Sequence, residues 1–186
     1  MTAPLILDLC GGTGAWSAPY AEAGYTVRVI DPLADGRDVR LMERCKDRVH
    51  GILAAPPCTH LSSSGARWWE AKGSVALLEA LSVADACLRV VMVHKPAWWV
   101  LENPVGRLSR YFGKPRMTFD PCDFGDPWTK KTCLWGDFSI PTKAPVPITH
   151  AKGSSPIHRA APGPDRWRFR SATPPGFARA FKEANP

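Results

Sequence analysis

The sequence predicts an α/β fold: a mostly parallel sheet with helices on both faces, followed by a short Pro-rich C-terminal segment. Three observations predict it. Short apolar runs recur through residues 4–136, each closed by Gly, Pro or Asp. Segments with helical spacing separate them, and strands joined that way pair in parallel. The residues with chemical potential cluster just after the runs, where parallel sheets bind ligands.

The elements follow in order. Leu5–Leu9 predicts a first strand, and Gly11-Gly12-Thr13-Gly14 a tight turn into a helix over Trp16–Ala23, which Gly24 ends. Thr26–Ile30 predicts a second strand closed by Asp31-Pro32, and Val49–Ala55 a third closed by Pro56-Pro57. Over Ser74–His94, apolar residues at Val75, Leu78, Leu81, Leu88 and Met92 give a long helix with one broad apolar face. Trp98–Leu101 predicts a fourth strand, ending at Glu102-Asn103-Pro104, and Thr132–Trp135 another. From Ser139 to Arg166 six prolines fall without a period, which predicts an extended, loop-rich stretch. Pro175–Glu183 predicts a terminal helix.

The 186 residues suit one domain with a real core, and 45% apolar with 22% charged residues is ordinary for a globular protein. The apolar stretch from Val75 to Leu101 is broken by Glu79, Asp85, Arg89, Lys95 and Pro96, so it predicts no membrane span. No charged segment with a cleavage signature precedes the first strand, so a cytoplasmic setting and six reduced cysteines are expected. The spacing of Cys122, Cys133, His150 and His158 matches no common zinc site, and no metal is expected. A net charge of +7 fits a polyanionic partner such as nucleic acid.

The turn over Asp8 to Gly14 bends sharply enough for close approach of a ligand, and a helix start beyond it offers free amides. Its G-G-x-G spacing differs from the dinucleotide fingerprint and suits a ligand without pyrophosphate, such as S-adenosylmethionine. Asp31 is placed to accept from ribose hydroxyls, and Trp16 to lie on an adenine face or in the core. Two prolines hold Cys58 rigidly after a buried strand, which suits a nucleophile whose thiolate nearby basic groups favour. Glu102 follows a buried run and is expected near Cys58.

Together these residues resemble the cytosine-C5 methyltransferase family. The resemblance covers about residues 5–136 and 171–183. Ile6 to Gly14 resembles the cofactor motif, Arg37-Asp38-Val39 the motif whose Asp contacts the adenine amine, and Pro56-Pro57-Cys58 the catalytic loop. Glu102-Asn103-Pro104 resembles the Glu-Asn-Val motif, and Thr173-Pro174-Pro175 the last motif. The resemblance implies a Rossmann-like S-adenosylmethionine-dependent methyltransferase in which Cys58 adds to C6 of cytosine. It implies Glu102 as an acid at N3 and Asn103 as a residue that positions the loop. The cofactor set it implies is Asp8, Cys10, Gly11, Gly12, Gly14, Trp16, Asp31, Asp38, Pro56 and Thr173. The substrate set is Pro57, Thr59, Ser62, Lys130, Lys131 and Arg168, with Ser62–Trp69 as a loop to close over a flipped base.

The sequence departs from the family twice. Where a Gln-x-Arg-x-Arg segment belongs, this chain has Trp128 to Thr132; Lys130 aligns with the first arginine and Thr132 with the second. Residues 1–136 then form the catalytic and cofactor core, 137–170 a basic, reduced recognition segment, and 171–186 a helix returning to the core. That middle segment is too short for a recognition domain. A compact, phage-like enzyme of a bacterial or phage-infected cell is expected, acting on duplex or single-stranded DNA with a short target site. A homodimer or partner subunit would complete recognition. The other readings are a pyrimidine C5 methylase of free nucleotides or RNA, and a catalytically silent nucleic-acid-binding module.

Overall fold

The computed structural model describes residues 2–151, 155–159, 161–163 and 166–186. Six strands form one sheet: β1 (Leu5–Leu9), β2 (Thr26–Ile30), β3 (Val49–Ala54), β4 (Trp98–Pro104), β5 (Met117–Phe119) and β6 (Thr132–Asp137). The helices are α1 (Ala18–Glu22), α2 (Trp69–His94), α3 (Ser109–Phe112), α4 (Pro156–Arg159), α5 (Arg166–Ser171) and α6 (Pro175–Ala184). The sheet order is β2-β1-β3-β4-β6-β5. The α/β class and the helices on both faces agree with the sequence reading.

The strand period of two divides the core. Leu5, Leu7 and Leu9 of β1, with Ile52 of β3 and Leu101 of β4, pack under Ala80, Ala84, Cys87 and Val90 of α2. Ile6, Leu53 and Val100 face the other way, onto Trp16 and Tyr20 near α1 and Phe177 and Phe181 of α6. Asp8 and Glu102 have the parity of Ile6 and Val100. Their side chains therefore continue the α1/α6 face at the carboxyl ends of two parallel strands, β1 and β4, with β3 between them.

The sheet is mostly parallel, as expected: β2, β1, β3 and β4 run parallel, and β6 runs antiparallel to both β4 and β5. Three element bounds need correction. β4 continues through Pro104 because β6 pairs with it to the end: Glu102 lies opposite Leu134, Asn103 opposite Cys133 and Pro104 opposite Thr132. Helix α1 starts at Ala18 rather than Trp16, and its first amides are occupied: Ala18 N donates to Gly14 O, and Tyr20 N and Ala21 N donate to Ser17 O. The N–H groups of Ala18, Tyr20 and Ala21 are thus satisfied within the chain. Helix α2 begins at Trp69, with a break at Gly73 (φ +67°) before the long regular run that the sequence predicts.

Candidate active site

One cavity opens at the carboxyl ends of β1, β3 and β4. The Asp8–Gly12 bend, Pro56-Pro57-Cys58, Glu102, Lys130 and Thr173 all line it, with Arg170 and Ser171 of α5. Of the expected cofactor residues, Asp8, Cys10, Gly11, Gly12, Trp16, Pro56 and Thr173 meet there; of the expected substrate residues, Pro57 and Lys130 do.

Asp8 is fully buried. Its Oδ2 accepts from Ser17 Oγ at 2.5 Å, while its Oδ1 has no partner among the described residues. Burial, reinforced by the charge of Asp31, raises its pKa to about 6 against the pull of the Ser17 hydrogen bond. Gly11 passes so close that a Cβ there would sit 2.4 Å from the Asp8 carboxyl carbon, so only glycine fits. Cys10 holds a positive φ of 57°. Asp31 serves the bend itself: Oδ2 accepts from Gly12 N at 3.0 Å and Oδ1 from Leu33 N at 2.8 Å. Trp16 is 2% exposed, packed against Phe177 and Phe181 at 5.9 and 5.6 Å, and also lines the cavity.

Cys58 is half-buried at the cavity. Burial pushes its thiol up, and the charge of Glu102 adds to this; Lys130 and Arg170 pull it down. Burial likewise raises the Glu102 carboxyl, against Lys130. Glu102 forms no ion pair among the described residues. A protonated Glu102 would remove its own charge from beside the sulfur. Asn103 is buried, and its Nδ2 donates to Pro56 O at 2.8 Å, tying the end of β4 to the loop that carries Cys58.

The chain after Cys58 is fastened at several points. Ser63 N and Ser63 Oγ both donate to Val105 O, at 2.9 and 2.8 Å. Arg107 N donates to Leu61 O, and Arg107 Nε to His60 O, both at 2.9 Å. Residues Ser63–Trp68 coil into a 3-10 helix whose cap is Ser62. Trp68 is exposed, and the Arg107 guanidinium lies over Trp69 at 4.7 Å.

The remaining candidates lie off the cavity lining. Asp38 caps a short 3-10 turn and accepts from Arg40 N and Arg40 Nε at 2.9 and 3.0 Å, and this pairing holds its carboxyl low. The Thr59 carbonyl accepts from Lys72 Nζ at 3.3 Å. Lys131 pairs with Asp120 at 3.6 Å. The Arg168 guanidinium lies 5.3 Å over Trp167. Gly14, with φ +70°, shapes the bend by donating its N–H to Gly11 O. Part of the expected recognition segment, residues 152–154, 160, 164 and 165, lies outside the described residues, as does the side chain of His158.

No protein-family model and no curated protein matches the chain. Among solved structures it is similar to a prophage-encoded protein of E. coli assigned as a DNA modification methyltransferase. The TM-score is 0.53 with 18% identity, over 79% of this chain and 53% of that one. This chain has that methyltransferase's fold. It is also similar to the Entamoeba histolytica methyltransferase EhMeth (TM-score 0.46, 10% identity, 88% of this chain and 61% of that one). The S. pombe Dnmt2 methyltransferase is a third (TM-score 0.41, 15% identity, 72% and 48%). The chain thus spans about half the length of the prophage structure.

Within this methyltransferase fold, the cavity includes residues that sequence reasoning did not place there. Arg170 and Ser171 reach it from α5, which sits over the glycine bend: a Cβ on Gly12 would come within 3.6 Å of the Trp167 ring. The only signal in the sequence is the basic run with Trp167 between Arg159 and Arg170. It marks a class of surface, not a direction.

Proposed function

We propose that the chain methylates carbon 5 of cytosine in DNA, with S-adenosylmethionine as methyl donor and Cys58 as covalent nucleophile. One observation carries the reading: Cys58 and Glu102 line a single cavity together with the glycine bend. The residues of the bend fit the donor. The buried, unpartnered Oδ1 of Asp8 suits its ammonium group, and Gly11 and Gly12 line the cavity beside it. Trp16 and Thr173 line the same wall, while Asp31 and Asp38 shape the chain beside it.

When bound, S-adenosylmethionine supplies an electrophilic methyl group. The protein has to make C5 of the ring nucleophilic. Cys58 Sγ adds to C6 as the thiolate, favoured by Lys130 and Arg170. Glu102, whose carboxyl burial pushes toward the protonated form, gives its proton to N3 as charge builds on the ring. Asn103 holds the loop by its bond to Pro56 O. After methyl transfer the C5 proton passes to a water molecule, the Cys58 sulfur is expelled as thiolate, and N3 returns its proton to Glu102, restoring the aromatic ring. A base in a duplex must leave the stack to reach such a cavity.

Incubation with S-adenosylmethionine and DNA containing 5-fluorocytosine tests this directly. Fluorine at C5 cannot leave as a proton, so the wild-type protein should form a denaturant-stable adduct and Cys58→Ser none. Glu102→Gln should slow adduct formation by about 10²–10⁴-fold, the worth of general-acid catalysis. Labelled donor offered with DNA, RNA or deoxycytidine monophosphate reads the substrate class. Label confined to the free nucleotide would replace DNA with the nucleotide, and no label in any of them would leave a silent binding module.

A further inference from the structure

We infer that Arg170, carried on α5, is the second substrate-binding cation of the cavity and holds a negatively charged or polarised oxygen of the pyrimidine nucleotide beside Cys58. The inference rests on the methylation reading and adds a recognition residue to it.

Arg170 lines the same cavity as Cys58, Glu102 and Lys130. Its Nε is buried and has no hydrogen-bond partner among the described residues. A buried guanidinium N–H left without an acceptor is unfavourable, so a site built this way is completed by a ligand acceptor. No carboxylate forms an ion pair with Arg170 among the described residues. Its charge also acts on the Cys58 sulfur in the same sense as that of Lys130.

Two neighbouring cations have partners of their own: Lys131 pairs with Asp120, and Arg107 Nε donates to His60 O while its guanidinium lies over Trp69. Thr132 is no alternative, since it is buried and its hydroxyl donates to Lys130 O at 2.8 Å. The second positive group of the cavity is therefore supplied by α5, not by the strand that carries Lys130. A guanidinium is suited to the task because its planar fork matches a phosphate or a ring carbonyl. Both oxygens gain from it: the phosphate is charged throughout, and the C2 carbonyl becomes charged as sulfur adds to C6.

The test compares wild type, Arg170→Gln and Arg170→Lys for binding of deoxycytidine and deoxycytidine monophosphate, and for adduct formation with 5-fluorocytosine DNA. Arg179→Ala, an exposed basic position on α6, is the control. Arg170→Gln should weaken nucleotide binding or slow the adduct at least about tenfold, the order of one charge-assisted hydrogen bond. Its melting temperature should not change, and Arg170→Lys should recover part of the loss. Loss confined to the monophosphate identifies the phosphate as the partner; equal loss with the nucleoside identifies the ring carbonyl. An adduct-forming protein in which both Arg170 variants bind and react like wild type overturns the inference. If wild type forms no adduct but Arg170→Gln still loses nucleotide binding, the methylation reading fails and the anion site stands. If wild type neither reacts nor binds either ligand, both fall.

Discussion

Asp8 is a carboxyl group held at a pKa of about 6 by burial and by Asp31, in a position where nothing but Ser17 bonds to it. An acid whose folded pKa lies above its unfolded value opposes folding once it ionises. The penalty is absent below the unfolded value of 3.8, grows between about pH 4 and 6, and is complete above 6. Two units correspond to about 3 kcal/mol. Asp8→Asn should therefore raise stability above pH 6 by about 1–3 kcal/mol and leave it unchanged near pH 4. Denaturant unfolding across that range checks it, and a constant difference at all pH values would contradict it. A residue kept at such a cost points to use rather than scaffolding. At this scale the sequence was most readable where a side chain belongs to a strand end: Asp8, Cys58 and Glu102 could be placed by counting along β1, β3 and β4. Arg170 could not, because its six-residue helix has no period long enough to fix a direction and its neighbours are equally basic. Trp16 shows a different limit. Its size suited both a ligand face and a core, and partners from α6, more than 150 residues away in sequence, pack it into the core.

The segment after Cys58 is an element whose order comes from one close approach. Gly106 lies against it so tightly that a Cβ would sit 2.0 Å from Leu61 O. Gly106→Ala should cost about 1–3 kcal/mol through overpacking. It should also speed hydrogen exchange at the Ser63 and Arg107 amides that fasten the loop. Unchanged exchange at those two amides would show that the segment is held by other contacts. The sequence predicts Ser62–Trp69 as a loop free to close, because its serines and glycine carry no periodic signal. The bonds that tie it to Val105 and Arg107 are more than 40 residues apart in sequence. The reversed β6 was hidden for a similar reason. Its own residues report a strand but not its direction, and its partner β5 is only three residues long.

At the scale of the molecule, the face that carries Asp8 and Glu102 is closed by α6. Phe177 and Phe181 are fully buried, and Phe177 stacks on Phe119 with centroids 3.9 Å apart. The end of the chain is tied in as well: Tyr20 donates to Asn185 O at 2.8 Å, and Asn185 Nδ2 donates to Ser139 O at 3.0 Å. Phe177→Ala should cost about 3–5 kcal/mol. It should weaken donor binding in parallel with stability, because Trp16, which lines the cavity, packs on Phe177. Loss of stability with donor binding intact would separate the two. The apolar alternation of the strands and the spacing of α2 made this architecture legible. The closure by α6 was legible only as a terminal helix, since its docking face is decided by aromatic contacts with Trp16, β5 and β4.

The lone oxygen of Asp8 has one further consequence. A cation arriving beside a buried acid drives it to ionise, so below about pH 6 each donor molecule that binds should release close to one proton to solvent, and near pH 8 none. Calorimetric titrations in buffers of different protonation enthalpy would count it. A proton count of zero at pH 5 would place the ammonium group somewhere other than on this carboxyl.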